Sequence, residues 1–256
     1  MRSMAEQIVM GGQNRMFIRE GVVHRPSHPW SDGTRRLLQF CRAEGLEFVP
    51  EWRGHDEQGN EVFEYIEGEV GNYPLPESLK SRTAVISAGK TLRRFHDVTA
   101  KLIKEEALGL QFAALDPIEI VCHSDFAPYN CVFDSNGEIK GVIDFDGARL
   151  GPRRWDLSYA IYRFVPFVDF EGSDDGFGDL SNRLERLKLF FDAYGANRQE
   201  MIESVKLLPR RLLSLVEWMY KEAAAGNEGC KQNLLDKHHE LYLRDIRALT
   251  ALHEAL

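Results

Sequence analysis

Two periodicities divide the chain. Near the start, apolar residues alternate or cluster in short runs, Gln7–Met10, Met16–Arg19 and Val22–Arg25, separated by Gly11-Gly12 and Glu20-Gly21. Short runs punctuated by glycine predict a β-meander. A helix is predicted over Gly33–Glu44, with Ser31 or Asp32 as its N-cap and Gly45 as its stop. Val49–Arg53 and Glu61–Ile66 then predict a hairpin around Gln58-Gly59-Asn60, followed by a Gly/Pro-rich loop from Gly68 to Pro76. Beyond this, the spacing becomes helical. Val85, Ile86, Gly89, Leu92, Phe95, Val98 and Leu102 recur on one face of a helix expected over Ser78–Lys104. Further helices are expected over Leu157–Phe164 with Asp156 as cap, Leu180–Tyr194, Gln199–Leu207, Pro209–Ala225 and Cys230–Leu256.

One stretch breaks this second pattern. Val121–Ala148 reads VCHSDFAPYNCVFDSNGEIKGVIDFDGA, with the shape strand, tight loop, strand, turn, strand. Asn136-Gly137 is a strong hairpin signal. It folds Cys131–Phe133 back onto Ile139–Ile143 and brings Asn130 and Asp144 to the same end of a ribbon. The loop His123-Ser124-Asp125-Phe126-Ala127-Pro128-Tyr129-Asn130 has the H-x-D-x-x-x-x-N spacing that kinases use for a catalytic Asp and a metal-binding Asn. Phosphoryl transfer needs the triphosphate neutralised, a hydroxyl aligned and a group to take its proton. Hard oxygen ligands suit Mg²⁺, which takes one or two carboxylates together with phosphate oxygens. Asn130 and Asp144 fit as those ligands, Asp125 as the base, and His123 as a loop brace. Taken singly, each is an ordinary turn residue; the ordered set with a hairpin joining its halves is what points to chemistry.

HSDFAPYN, VIDFDGA and GPRRWDLSYA together resemble the aminoglycoside phosphotransferase and choline-kinase-like family. The resemblance covers most of the chain and is most specific between Val121 and Ala160. It implies an α+β, two-lobed protein-kinase-like fold, with a small antiparallel-sheet N-lobe and a mainly helical C-lobe. The lobes would span residues 1–63 and 72–256, joined by a linker over 64–71. It further implies Asp125 as catalytic base, Asn130 and Asp144 as Mg²⁺ ligands, and Asp156 as a brace under the catalytic loop. ATP would lie between the lobes, its adenine bonded to the Glu64 carbonyl and the Ile66 N–H. Gly12 would let backbone amides approach the phosphates, as glycine allows.

The third strand should carry the cation that grips the phosphates, a Lys in most kinases. This chain offers His24 and Arg25 instead. Alternation sends them to opposite faces. Arg25 is favoured because it is permanently charged and forks onto phosphate, with His24 kept as the alternative. The family often pairs that Lys with a Glu from the following helix. Here the inner turns read Thr34-Arg35-Arg36-Leu37-Leu38-Gln39-Phe40, with no acid. The chain thus departs from the Lys–Glu pair at both ends. A pseudokinase that binds nucleotide without turnover is therefore the alternative to an active ATP-dependent phosphotransferase.

Composition narrows the classes. The 256 residues suffice for two lobes with cores, and 43% hydrophobic with 28% charged residues mark a globular chain. A formal net charge of −8 argues against nucleic-acid binding, which draws on basic patches. No apolar run reaches membrane-span length. The four cysteines show no metal or disulfide spacing, so a reducing cytoplasm is expected. There is no G-x-S-x-G elbow for a hydrolase, and no long activation segment after Asp144-Phe145-Asp146 for a kinase of proteins. The expected partner is a hydroxyl-bearing small molecule. The run Asp169, Glu171, Asp174, Asp175, Asp179 is read as a solvated loop, with an acidic rim for a cationic acceptor as its alternative.

Overall fold

A computed structural model describes residues 7–11, 14–104, 108–168 and 176–255. The N-terminal alternation builds a five-stranded antiparallel sheet from β1 (Gln7–Gly11), β2 (Asn14–Arg19), β3 (Val22–Arg25), β4 (Trp52–His55) and β5 (Glu61–Glu64). Its order is β1-β2-β3-β5-β4, so β3 lies beside β5 and not beside β4. In that pair Arg25 stands opposite Glu61 and His24 opposite Val62. Helix α1 (Ser31–Ala43) buries Leu37, Leu38 and Cys41. It starts two residues before the expected Gly33, and Ser31 does not cap it. The Ser31 hydroxyl is engaged by the His28 amide and by Glu61 instead.

The remainder is mainly helical, as the resemblance implies. Helix α2 (Arg82–Thr99) packs against α4 (Leu180–Tyr194), and α3 (Arg153–Phe164) against α5 (Arg198–Ala224). Helix α5 also meets α6 (Glu228–Leu235) and α7 (His238–Ala255). Gly89 permits the α2–α4 contact, because a Cβ there would stand 2.4 Å from the Phe190 carbonyl oxygen. Such an approach is closed to any larger residue. Leu92, Phe95, Phe190 and Leu212 are among the buried side chains of this core.

Helix α3 begins four residues before the expected Leu157, with Pro152 at its N-cap, so Asp156 lies inside the helix and turns to the loop instead of capping it. Three further helix boundaries differ from the periodicity, each for a local reason. The stretch from Ser78 is not one helix. A 3₁₀ turn over Glu77–Lys80 ends at Ser81, whose extended backbone and side chain, accepting from the Ala84 amide, start α2 anew. Pro209 does not divide α5, which runs through it. Proline inside a helix costs about 3 kcal/mol, and packing of α5 on α3, α6 and α7 offsets that. The C-terminal helix is two, broken at Lys237, whose φ of 63° is left-handed.

The ribbon forms as the hairpin signal requires. β7 (Ile120–Cys122) leads into the loop and pairs with β10 (Arg149–Gly151). β8 (Cys131–Phe133) pairs with β9 (Ile139–Val142), Cys131 opposite Val142. Gly137, at φ +79°, makes the turn between them, where Asp134 accepts from the Asn136 and Glu138 amides. A third strand, β6 (Glu69–Val70), is added along β8 by the segment leaving the N-terminal sheet. All four cysteines are buried free thiols. No helix among the described residues is long and apolar enough to cross a membrane.

Candidate active site

The loop between β7 and β8 is held from below. Ser124 adopts φ 68°, left-handed for a non-glycine residue, a strain that persists only where surroundings enforce it. The turn points two successive amides at Asp156 in the first turn of α3. His123 N–H donates to Oδ2 and Ser124 N–H to Oδ1, both at 2.6 Å. Asp156 is wholly buried. Burial alone would raise its pKa, but hydrogen bonds from His96 and the His123 amide prevail and hold it below the usual carboxylate range. His96 Nε2 lies 3.1 Å from Oδ2 and its Nδ1 2.8 Å from the Tyr194 hydroxyl. An ionised carboxylate only accepts, so Nε2 carries the proton and Tyr194 donates to Nδ1. Burial lowers the His96 pKa, in keeping with a structural imidazole. From α5, Arg211 donates to the Ser124 carbonyl.

His123 ties the loop to the facing strand. Its Nε2–H donates to the Ile143 carbonyl at 3.0 Å, and its Nδ1 accepts the Asp125 amide at 3.3 Å. The Ile143 amide in turn donates to the Asn130 carbonyl at 2.9 Å. Asn130 and Asp144 therefore stand at one end of the ribbon, beside Asp125.

The Asp125 carboxylate accepts the Tyr129 hydroxyl on Oδ1 at 2.7 Å and the Asn130 side-chain amide on Oδ2 at 2.8 Å. The same Asn130 Nδ2 also meets the Asp125 carbonyl. Two acceptors fix the amide's orientation and leave Asn130 Oδ1 for another partner. Behind Tyr129 runs a chain that sequence reasoning missed. The Tyr159 hydroxyl lies 2.8 Å from that of Tyr129, and Arg163 donates to Tyr159 from Nε and Nη2 at 3.1 and 2.9 Å. Arginine can only donate, so the chain runs one way, from Arg163 through Tyr159 and Tyr129 to Asp125. The Arg163 guanidinium also lies within 6.0 Å of the ring centroids of Tyr73, Tyr129, Tyr159, Tyr162 and Tyr242. Tyr159, Tyr162 and Arg163 share α3, but Tyr73, Tyr129 and Tyr242 come from distant parts of the chain, so no local signal announces the cluster.

Asp144 also has left-handed backbone, φ 62°. Although Asp144 as a residue is exposed, its carboxyl is pushed up to about 6, first by desolvation and then by the charges of Asp146 and Asp125. A carboxylate raised in this way is one that a cation would relieve. Among the described residues no group of three or more His, Cys, Asp or Glu could hold a metal ion. The donor set fits Mg²⁺ nonetheless: one carboxylate and one amide oxygen, with phosphate oxygens completing the shell.

The raised value predicts a stability effect. A folded-state pKa of about 6 against an ordinary 3.8 means that the folded protein loses stability as pH rises from about 4 to 6. Asp144→Asn should therefore raise the apo Tm at pH 7.5 by about 2–4 °C, roughly 1 kcal/mol after allowing for solvent screening. The gain should disappear at pH 4. An unchanged or lowered Tm at pH 7.5 would contradict the electrostatic reading of this turn.

The two basic candidates separate as alternation requires. His24 turns away, 4% exposed, with Nδ1 2.9 Å from Asp56 Oδ2 and its ring stacked on Phe17. Arg25 turns toward the acidic turn, its Nη1 2.9 Å from Asp146 Oδ1. Glu64 ends β5, its carboxylate taken by Arg42 and its amide by the Glu51 carbonyl. Among the described residues the Ile66 N–H has no hydrogen-bond partner. Gly12 lies outside the described residues, as do Asp169, Glu171, Asp174 and Asp175. Asp179 caps α4. A cavity of about 520 Å³ touches Glu64 and Ile66, and another of about 580 Å³ lies against Asp179, Arg183, Arg244 and Asp245. Neither is lined by Asp125, Asn130 or Asp144.

Residues 103–190 match the model of a family described as "Phosphotransferase enzyme family". A trifolitoxin immunity protein of Rhizobium leguminosarum bv. trifolii is 32% identical over 199 residues, 74% of this chain and 74% of its own. A choline/ethanolamine kinase family protein from Mesorhizobium loti, 17% identical, aligns over 96% of this chain and 87% of its own with a TM-score of 0.62. An amicoumacin kinase in complex with AMP-PNP and Ca²⁺, 12% identical, aligns over 91% and 88% with a TM-score of 0.64. At these identities the two structures speak for the fold alone.

Proposed function

We propose, from the premise that this chain belongs to the aminoglycoside phosphotransferase and choline-kinase-like family of phosphotransferases, that it moves the γ-phosphoryl group of ATP to a hydroxyl of a small molecule. The observation that carries the reading is the meeting of Asp125, Asn130 and Asp144 at one end of the ribbon, with Arg25 reaching the adjoining turn. In this reading, residues 1–63 and 72–256 form the two lobes, 64–71 link them, and ATP lies between. The adenine edge would bond to the Glu64 carbonyl and the Ile66 N–H, and Gly12 would sit by the phosphates. Arg25, rather than His24, would grip the α/β-phosphates.

Asp125 would accept the acceptor's hydroxyl proton. The acceptor oxygen forms its bond to Pγ as the bond from Pγ to the leaving oxygen of ADP breaks. Asn130 Oδ1 and the Asp144 carboxylate would hold Mg²⁺, which supplies charge neutralisation of the triphosphate. Tyr129 and Asn130 fix the two oxygens of Asp125, so that alignment precedes substrate binding. Positioning and fixed charge of this kind are the main sources of phosphoryl-transfer catalysis. An inactive nucleotide binder would suit a cleft lacking its cation pair. Here Arg25 has a buried acid beside it, which favours an active enzyme.

The relative's name links it to immunity against a toxin, so a toxin hydroxyl belongs among the acceptors to be tried, beside amino alcohols and aminoglycosides. A cationic acceptor draws little support from Asp179 or Asp245, since the first caps a helix and the second is buried against Tyr162 and Arg244. The test is incubation with ATP, Mg²⁺ and an acceptor panel, read by ADP release and by an acceptor mass gain of one phosphoryl group. ADP release with phosphate appearing only in solution, for every acceptor, would oppose the reading.

A further inference from the structure

The inner turns of α1, Thr34 to Phe40, carry no acid to hold the phosphate-gripping cation. The structure supplies one from a strand. Glu61 faces Arg25 directly across the β3–β5 pair and is 1% exposed. A carboxylate buried so deeply must be paired and hydrogen-bonded. Its Oε2 accepts Arg25 Nε at 3.2 Å and the Ser31 hydroxyl at 2.6 Å. Because Ser31 Oγ accepts the His28 amide at 2.9 Å, its proton is directed at Glu61. The Arg25 guanidinium also lies over the Phe63 ring at 4.8 Å. Its Nη1 reaches Asp146 at 2.9 Å. Nη2, 3.2 Å from Glu61 Oε2, is buried without an acceptor in hydrogen-bonding geometry among the described residues. Nη2 thus stays in ion-pair contact with the Glu61 carboxylate and is buried against it.

We propose that Glu61, keyed by Ser31 to the start of α1, is the positioning residue for Arg25. It holds the guanidinium so that Nη1 meets the turn beside Asp144 and the cationic charge stays beside the proposed phosphate site. The pair Arg25–Glu61 then stands where a Lys and a helix-borne Glu would stand, with both members on the sheet. The inference rests on the nucleotide-cleft reading above and adds to it the residue that sets its phosphate grip.

The sign of a substitution tests this. Glu61 is an anion beside a proposed triphosphate site. On Coulomb grounds alone, Glu61→Gln would strengthen the binding of an anionic ligand. Weaker Mg·ATP binding in that variant, with adenosine affinity unchanged, therefore points to a misplaced Arg25. The experiment is calorimetric titration of the full chain with Mg·ATP and, separately, with adenosine, for wild type, Glu61→Gln and Ser31→Ala. Glu61→Gln is expected to weaken Mg·ATP about tenfold or more, on the scale of a lost charge-assisted bond. Ser31→Ala should weaken it about threefold, on the scale of a neutral hydrogen bond. Adenosine affinity should be unchanged in both. Equal Mg·ATP affinity in wild type and Glu61→Gln would overturn the proposal. So would parallel loss of Mg·ATP and adenosine, which would mark Glu61 as merely structural. If Glu61→Gln fails to fold, Ser31→Ala decides by the same two criteria. Wild type binding neither ligand would instead remove the nucleotide-cleft reading itself, an outcome distinct from failure of Glu61.

Discussion

Asp125→Ala is expected to lower turnover by about 10²–10⁴-fold, the usual worth of a positioned general base, while Mg·ATP still binds. The separation follows from the geometry. Asp125 bonds to Tyr129 and Asn130; Asn130 keeps the main-chain carbonyl of residue 125 as acceptor in the variant, and neither Asp144 nor Arg25 depends on Asp125 for a hydrogen bond. The cation grip and the metal turn should therefore survive, and the lost function is that of the proton acceptor. The check is steady-state kinetics on the acceptor identified by the panel, alongside nucleotide titration of the same variant. Turnover unchanged from wild type would remove Asp125 from the chemistry. A loss of Mg·ATP binding equal to the loss of turnover would mean that it acts on the nucleotide instead.

Asp156→Ala should cost stability as well as activity. The substitution strips partners from three buried donors at once: the amides of His123 and Ser124, and His96 Nε2. Breaking a buried charge network by removing one member costs about 3–5 kcal/mol. At roughly 2–4 °C per kcal/mol for a chain of this size, the Tm should fall by about 6–20 °C. Turnover should drop even where the variant remains folded, since the left-handed turn at Ser124 is enforced from Asp156. The wild-type contribution also has a pH signature. A depressed carboxyl pKa stabilises the fold above its ordinary value of 3.8 and loses that effect as pH falls. Thermal unfolding from pH 7 down to pH 3 should show the gap between wild type and Asp156→Ala narrowing. A Tm within 2 °C of wild type, about 1 kcal/mol or less, would deny Asp156 its bracing role.

The parts of the molecule legible in the sequence are those written within a short span. Asn136-Gly137 announces its hairpin because a tight hairpin loop calls for left-handed backbone, and Gly137 adopts it within the loop closed by Asp134 and Glu138. Once that turn is placed, β8 and β9 must pair, and Asn130 must meet Asp144. The kinase-like architecture was implied by the resemblance that HSDFAPYN, VIDFDGA and GPRRWDLSYA carry, and the switch from period two to helical spacing agrees with it. The alternation of His24 and Arg25 likewise needed only strand geometry.

What was not legible depends on partners far along the chain. Glu61 is separated from Arg25 by a helix and a strand, and only the neighbouring of β3 and β5 joins them. Ser31 reads as a helix cap because serine is a good one; its buried acid partner took the hydroxyl instead. The chain Arg163-Tyr159-Tyr129-Asp125 needs the ends of two elements brought together, and tyrosines at helical spacing look like core. Pro209 reads as a helix end by local rule, and tertiary packing overrode it. In each case a long-range contact outweighed a local preference.

The account depends on a cleft that takes ATP through a metal held by Asp144. Thermal unfolding of wild type and Asp144→Asn, each with ATP alone and with ATP plus Mg²⁺, tests this most directly. Ligand at about a hundredfold excess over its Kd adds about 2.7 kcal/mol to the folded state, roughly 5–11 °C in Tm. The account predicts that wild type gains this rise only when Mg²⁺ is present, and that Asp144→Asn does not. A wild-type Tm unmoved by saturating Mg·ATP, or an equal rise in the variant, would contradict it.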